Sequence, residues 1–375
     1  MTTAKPVPTF TLSRAVERIR PQLERRWSNL LDSQSFVGGQ EVASFEKAFA
    51  EFLEVPECVG VANGTDALSV AMKALGVAPG DEVIVPAFTF IATAATVSWL
   101  GGRPVFVDVE ADTLNIDPAG VEERIGDRTV GVIGVHLYGN PFAVDELRAL
   151  CDRHGLWLLE DAAQAHGARL GGRRVGSFGN LATWSFYPSK NLGCFGDGGA
   201  VSGHSSELLE RVRRIANHGR TEHYFHGEIG VNSRLDALQA AVLNARLELI
   251  EDDNQRRRAI AARYRERLQR ISALGMPGQR AEAEPVFHQF TLQLGERDEL
   301  RSHLEAHGIG SAVHYPLSLH EQPAFSDLGM RPQELPIASA AGRRVLCLPM
   351  FAELTDSEVE RVCDAVEGYF DRAVG

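Results

Sequence analysis

The sequence lacks the features that mark membrane, disulfide-bonded and nucleic-acid-binding proteins. No apolar stretch approaches the ~18 residues of a membrane-spanning helix, and no apolar run follows basic residues at the start, so we expect no secretory signal. The five cysteines are scattered without a CxxC pair, which predicts a reduced, cytoplasmic protein. The chain has 38 Lys and Arg residues against 50 Asp and Glu residues. Because its net charge is therefore negative, broad nucleic-acid binding is not expected.

Several catalytic signatures are also missing, and their absence narrows the class of enzyme. The twelve histidines are dispersed without an HExxH motif, so no metal site is predicted. No GxSxG elbow is present, and the glycines between Gly193 and Gly199 do not form GxGxxG between a strand and a helix, which disfavours a Rossmann oxidoreductase. What remains is an ordinary globular composition in 375 residues, enough for a large core and two domains.

Residues 60–205 alternate short apolar runs with helix-like stretches. The runs are continuously apolar, which is typical of strands covered on both faces. This rhythm predicts an α/β fold with a mostly parallel sheet, whose ligands lie at the carboxyl ends of the strands. The predicted strands are Glu82–Pro86, Pro104–Val109, Val130–His136, Leu156–Glu160 and Leu181–Phe186. The predicted helices are Asp66–Leu75, Ala92–Leu100, Pro118–Ile125 and Asp145–His154.

The rest of the chain predicts a long helix followed by a small α/β domain. We therefore place a large domain at residues 1–250, with 1–37 leading in, and a small C-terminal domain at 251–375. The elements predicted here are a helix from Asp236 to about Arg270, a strand Phe287–Leu294, a helix Arg297–His307, a strand Ser311–Tyr315 and a helix from about Thr355 to Phe370.

Two motifs place polar groups beside predicted strands and helices. Gly64 and Thr65 stand at a helix start, where free backbone N–H groups and a hydroxyl can bind an anion, although on this motif alone a plain helix cap is the favoured explanation. Asp161 follows an apolar strand, at the edge where a parallel sheet opens onto its ligands, although it too could be a cap. A carboxylate there can pair with a protonated heterocycle nitrogen.

Lys190 stands in a distinctive context. It follows a strand and the turn at Pro188, precedes a run of glycines, and comes 29 positions after Asp161. A lysine amine that its site keeps partly neutral can form a Schiff base.

Two further segments carry weaker signals. Residues 230–241 contain Asn232 and Arg234 just before a predicted helix, and on spacing alone they indicate a capped helix start. Residues 314–320 contain Tyr315 and His320 around Pro316, a pattern that a rigid X-Pro turn also explains.

Together and in this order, the five segments resemble the sugar-nucleotide aminotransferases of the DegT/DnrJ group, which are fold-type I enzymes dependent on pyridoxal phosphate (PLP). The likeness extends from Gly38 to Met350. It implies a large domain with a mostly parallel mixed sheet flanked by helices, a small α/β C-terminal domain, PLP or its amino form PMP as cofactor, and a homodimer with shared active sites.

The resemblance also implies a role for each motif residue. Lys190 would carry PLP covalently, Asp161 would pair with the pyridine nitrogen, and Gln164 would contact the phenolic oxygen. The remaining implied contacts are Gly64, Thr65 and Ser185 to the phosphate, Phe90 stacked on the ring, Asn232 to the phosphate in the neighbouring subunit, Tyr315 and His320 near the sugar, and Arg234 as a candidate for the substrate's diphosphate.

Residues 187–193 and 232–236 resemble the branch that aminates C3 of a 3-keto sugar. Residues 194–199 and 314–323 resemble members that act on UDP-linked 3-keto uronic acids. The expected reaction is therefore amino transfer, with L-glutamate as donor, to C3 of a TDP- or UDP-linked 3-keto hexose. Two alternatives stay open: amination of C4 in a TDP-4-keto-6-deoxyhexose, and PLP-dependent sugar dehydration. Family members that dehydrate carry histidine where Lys190 stands, which favours transamination. A regulatory protein of the same fold is disfavoured because Lys190 is retained.

Overall fold

Helices and strands alternate along most of the chain, which the computed structural model describes over residues 5–373. The five predicted strands and four predicted helices of residues 60–205 are confirmed to within about two residues at each end. The helices are α1 Ser13–Ser33, α2 Gly39–Leu53, α3 Gly64–Ala74, α4 Ala92–Trp99, α5 Pro118–Arg124, α6 Val144–His154, α7 Ser206–Ala216, α8 Ala237–Leu247, α9 Ile250–Leu268, α10 Arg297–Ala306, α11 Pro336–Arg344 and α12 Asp356–Ala373. The strands are β1 Glu57–Val61, β2 Glu82–Pro86, β3 Arg103–Val107, β4 Thr129–Val135, β5 Trp157–Asp161, β6 Arg169–Leu170, β7 Arg173–Arg174, β8 Leu181–Ser185, β9 Gly199–Gly203, β10 Arg220–Glu222, β11 Phe225–His226, β12 Ala283–Glu284, β13 Phe290–Gln293 and β14 Val345–Leu348.

A seven-stranded mixed sheet forms the centre of the large domain, in the order β1-β9-β8-β5-β4-β2-β3. Strands β3, β2, β4, β5 and β8 are parallel, and β9 is antiparallel to both of its neighbours. Helices cover both faces, since Val83 and Val85 pack into the cluster of α3, α4 and α7, whereas Ile84 packs with α5 and α6 on the other face. Burial on both faces explains why these strands are continuously apolar.

The C-terminal region departs from the prediction in two places. The long helix predicted from Asp236 ends at Leu247 and restarts at Ile250, because α8 packs on the large domain beside α2 while α9 packs against α12. The segment predicted as a strand at Ser311–Tyr315 contributes only an isolated bridge, from Ala312 to Cys347.

The small C-terminal sheet pairs β13 with β14 and is covered by α9, α10 and α12. Val7 pairs with Ile309 and packs into the hydrophobic cluster of this part of the chain. The division at residue 250 stays a prediction. No helix within residues 5–373 is long and apolar enough to cross a membrane.

Glu160 is a buried carboxylate that ties β5 to the following loop. Its side chain is fully buried and hydrogen-bonds the His136 ring at 2.9 Å. It also accepts hydrogen bonds from the amides of Gly176, Phe178 and Gly179 at 2.7–2.8 Å. Burial raises the pKa of Glu160, but the bond with His136 and the bonds from the amides of Gly179 and Gly176 outweigh that effect and hold the pKa below its ordinary value.

We expect Glu160→Gln to lower the free energy of unfolding by about 3 kcal/mol, measured by urea denaturation. The amide has one acceptor oxygen in place of two and turns N–H groups toward donors, which leaves buried groups unpaired. Glu210→Gln, at an exposed position on α7, should change it by less than about 0.5 kcal/mol. An unchanged urea midpoint for Glu160→Gln would show that the cluster does not support the fold.

Candidate active site

A cavity of about 710 Å³ lies where β4, β5 and β8 reach their carboxyl ends. Val135, Asp161 and Ser185 end these three strands and all line the cavity. Polar and ionisable side chains thus meet at the edge of the sheet where the sequence predicts a ligand.

The cavity brings together eight of the eleven predicted site residues, and three lie elsewhere. Asn232 and Arg234 are exposed outside it, on the segment leading into α8. The His320 ring is buried, 3.2 Å from the Ser339 hydroxyl, and does not line the cavity. The eight that line it are Gly64, Thr65, Phe90, Asp161, Gln164, Ser185, Lys190 and Tyr315.

The start of α3 forms an anion-binding corner of the cavity. The Asn63 side chain accepts a hydrogen bond from the amide of Asp66 at 2.8 Å and caps the helix. The amides of Gly64 and Thr65 belong to the first turn, where no helical carbonyl is available to them. A Cβ at Gly64 would lie 2.6 Å from Cβ of Ser185, so only glycine allows this hydroxyl so close to the helix start. Helix start and hydroxyl together suit a phosphate group.

Asp161 presents a restrained carboxylate at the end of β5. It is 6% exposed; Oδ2 accepts from the Thr93 hydroxyl at 2.9 Å, and Oδ1 accepts from the amide of Ala163 at 3.2 Å. Burial raises the pKa of Asp161, and these two bonds together with the charge of Lys190 act in the opposite direction. Such a carboxylate can hold a proton on a ring nitrogen.

Lys190 occupies a turn after β8 in which its amide donates to the carbonyl of Tyr187 at 2.8 Å. Burial lowers the pKa of Lys190 to about 8, and the nearby carboxylate of Asp161 opposes that shift. A substantial fraction of the amine is therefore neutral and nucleophilic near neutral pH.

The Gln164 side chain is held in one orientation. Its oxygen accepts from the amide of Tyr138 at 2.6 Å, and its nitrogen donates to the Tyr315 hydroxyl at 3.3 Å. The amide N–H groups therefore face the side of the cavity where Tyr315 lies. The Tyr138 hydroxyl in turn donates to the carbonyl of His314, which connects the large domain to the 314–315 segment.

Several cavity residues have no signal in the sequence. Thr93 is a helix residue whose neighbour Asp161 comes 68 positions later. Thr9 and Phe10 reach the cavity because Val7 pairs with Ile309. Their roles depend on contacts between distant parts of the chain.

These groups fit PLP. The Gly64 amide and the Ser185 hydroxyl would hold its phosphate, Asp161 would face its ring nitrogen, and Lys190 would bond to its aldehyde. An anion corner, a buried acid and a partly neutral amine in one cavity, on a mixed sheet with a small C-terminal domain, define a PLP-dependent transferase of fold type I.

Comparison with known proteins gives the family. The chain belongs to the DegT/DnrJ/EryC1/StrS aminotransferase family, whose model matches residues 17–367. A dTDP-3-amino-3,4,6-trideoxy-alpha-D-glucose transaminase from Streptomyces venezuelae is 45% identical over 98% of this chain and 97% of its own length. A UDP-N-acetyl-3-dehydro-alpha-D-glucosamine 3-aminotransferase from Acidithiobacillus ferrooxidans is 42% identical over 98% of both.

A solved structure of an enzyme from the same organism as the first relative has the same fold as this chain. The crystal structure of S. venezuelae DesV in complex with its ketimine intermediate has a TM-score of 0.96 and 45% identity, and the match covers 98% of this chain and 99% of that one. The predicted family, fold class, sugar aminotransferase activity and PLP dependence are therefore confirmed.

The lowered pKa of Lys190 predicts how cofactor-free protein captures PLP. Since the neutral amine is the nucleophile, the capture rate should rise about tenfold per pH unit up to about pH 8 and then level off. At pH 7.5 about a quarter of such amines are neutral, against roughly one in a thousand for an ordinary lysine. Stopped-flow absorbance measures the rate, with Nα-acetyl-lysine as the control. A rate that keeps climbing toward pH 10.5, as for the control, would contradict the shift.

Proposed function

We propose that this enzyme transfers the amino group of L-glutamate to the C3 keto group of a nucleotide-diphosphate hexose. The observation that carries the proposal is the presence of Lys190 and Asp161 in one cavity, since amino transfer needs both an amine and an acid. The name of the S. venezuelae relative specifies a 3-amino sugar, and that of the A. ferrooxidans relative specifies a 3-aminotransferase and a 3-dehydro sugar. The sugar in the first name is linked to dTDP and the sugar in the second to UDP. We favour a dTDP-linked substrate because this chain is more similar in sequence to the first relative.

The residues of the cavity have separable tasks in this reaction. When bound, PLP would supply a carbonyl that takes up the amino group and a ring that accepts electrons from the substrate carbon. Asp161 would keep the proton on the ring nitrogen, supported by the Thr93 hydroxyl. Lys190, with its pKa near 8, would remove the proton from Cα of glutamate and later deliver a proton at the sugar carbon.

The anion corner and the aromatic walls would hold the reactants in place. Gly64, Thr65 and Ser185 would anchor the cofactor phosphate while the Lys190 amine leaves and returns. Tyr315, whose hydroxyl accepts a hydrogen bond from Gln164, would form the wall of the cavity on the side of the sugar. Phe90 lies with its ring centroid 5.9 Å from that of Tyr315 and would cover the ring of the cofactor.

We also infer a homodimer with shared active sites. Lys190 is the one Lys or Arg among the described residues that line the cavity, yet the reaction brings several phosphates into it. Asn232 and Arg234 are exposed in a single subunit, beside exposed apolar side chains at Ile229 and Val231. A second subunit that covered these apolar groups would bring Asn232 to the cofactor phosphate and Arg234 toward the diphosphate. We also propose that the enzyme is cytoplasmic.

Enzyme loaded with PMP should be tested with dTDP- and UDP-linked 3-keto and 4-keto hexoses. We expect amination of the dTDP-3-keto sugar, detected by mass spectrometry of the product, and regeneration of PMP by L-glutamate, seen as a change in absorbance. Lys190→Ala should abolish multiple turnover, with at least about a 1000-fold loss, because no other amine among residues 5–373 lines the cavity. Turnover of 4-keto sugars alone would reject the C3 assignment, and normal turnover by Lys190→Ala would reject the mechanism.

Shared sites predict that two inactive variants restore activity when mixed. In a heterodimer of Lys190→Ala with Asn232→Ala, one site combines an intact Lys190 with an intact Asn232 from the other chain. We expect up to about a quarter of wild-type activity after the two are unfolded and refolded together, from random pairing of subunits. The control is Lys190→Ala mixed with Asp161→Asn, which should stay inactive because both residues belong to one subunit's cavity. Equal recovery in both mixtures would exclude sharing through Asn232.

A further inference from the structure

His288 is a buried histidine of the cavity wall to which the reaction described above gives no task. It is 6% exposed and lines the cavity. Its Nδ1 lies 3.2 Å from Oδ1 of Asn191, the residue that follows Lys190. Asn191 does not line the cavity, so the Nδ1 edge of the ring is engaged outside it, and we infer that the Nε2 edge is the one open to the cavity.

The orientation of the Asn191 amide is determined by its neighbours. Its Nδ2 lies 3.0 Å from the carbonyl of Val286 and 3.1 Å from Oδ1 of Asn254. The Asn254 amide is oriented independently, since its Nδ2 lies 2.8 Å from the carbonyl of His166. A backbone carbonyl can only accept, so Nδ2 donates in both amides and Oδ1 of Asn191 is an acceptor.

This network selects one tautomer of His288. Because Oδ1 of Asn191 accepts, the proton of the neutral ring lies on Nδ1, and Nε2 is bare. Burial lowers the pKa of His288 well below its ordinary value, and the charges of Lys190 and Arg257 act in the same direction. The ring is thus an uncharged acceptor on the cavity wall.

Lys190 is the one cationic side chain among the described residues that line the cavity with His288. Lys190 lines the cavity together with Asp161, His288 and His314. Its charge helps to lower the pKa values of these three groups and of His166. Burial is the main cause for His166 and His314 as for His288, so all three rings are neutral near pH 7. Arg257 donates to the carbonyls of Phe287 and Met350 and does not line the cavity.

We propose that His288 is a positioning residue for Lys190, whose ε-amine it receives at the bare Nε2 whenever that amine is not bonded to the cofactor. The inference rests on the proposed function, in which the amine leaves and returns. An acceptor on the wall would retain the freed amine beside the reacting carbon and stabilise its protonated form. A protonated histidine there would repel the ammonium group, which is why the tautomer matters.

Two substitutions separate the two edges of the ring. His288→Asn keeps an amide near Nδ1, able to donate to Asn191, and removes the acceptor from the cavity. His288→Gln reaches the Nε2 position with its amide oxygen and loses the contact with Asn191. His154→Asn, at the exposed end of α6, controls for the loss of a histidine.

The measurement is the acylation of Lys190 by acetic anhydride as a function of pH, read by peptide mass spectrometry. It uses cofactor-free and PMP-loaded protein, so it needs neither substrate nor turnover. Without the acceptor, the midpoint of acylation in His288→Asn should fall by about half to one pH unit, since one hydrogen bond to the ammonium is lost. His288→Gln and His154→Asn should keep the wild-type midpoint within about 0.3 units.

Three results would overturn the inference. The midpoint could stay unchanged in His288→Asn, fall equally in Asn and Gln, or fall in Gln alone, which would assign His288 to supporting the loop through Asn191. Thermal melting identifies a variant that is poorly folded. If His288→Asn fails to fold, His288→Ala takes its place: the acylation midpoint should then fall in His288→Ala and stay at the wild-type value in His288→Gln. If borohydride does not trap PLP on Lys190, the proposed function fails, whereas the acylation midpoints still report on His288.

Discussion

The parallel register of β5 and β8 is the constraint on which the site depends. Asp161 lies opposite Thr183, so the two strands end side by side, and the chain that leaves β8 returns Lys190 to the cavity beside Asp161. Each group changes the other, since the carboxylate opposes the loss of the Lys190 proton and the ammonium opposes protonation of Asp161. Burial acts against both charges, and this combination yields an amine whose pKa is about 8.

Around this pair, the fold surrounds a reactive centre with neutral polar groups. Thr93 and the amide of Ala163 satisfy the carboxylate without adding charge. The rings of His288 and His314 are kept neutral by burial and by Lys190 itself. Because the cavity has few charges of its own, most of the charge within it would come from the phosphate groups of the cofactor and the substrate.

Much of the large domain could be predicted because its strands are buried on both faces and its helices follow at short intervals. The failures have physical causes. Strand β9 (Gly199–Gly203) contains two glycines and only two apolar side chains, so its sequence resembles a loop. The helix predicted from Asp236 breaks after Leu247 because its two halves pack on different partners, which helical periodicity cannot show. Ser311–Tyr315 is apolar like a strand, yet it carries His314 and Tyr315 into the cavity.

By itself, the sequence determined the chemistry that is available: the Gly64-Thr65 helix start, the acid at the end of an apolar strand, and a lysine before a run of glycines. These are local patterns whose physical meaning does not depend on distant residues. Only the tertiary structure decided that Thr93 supports Asp161, that Thr9 reaches the cavity, and that Asn254 orients Asn191 and through it His288. Each of these contacts joins residues that are more than about 60 positions apart in the chain. Such a contact forms only when packing brings both partners together.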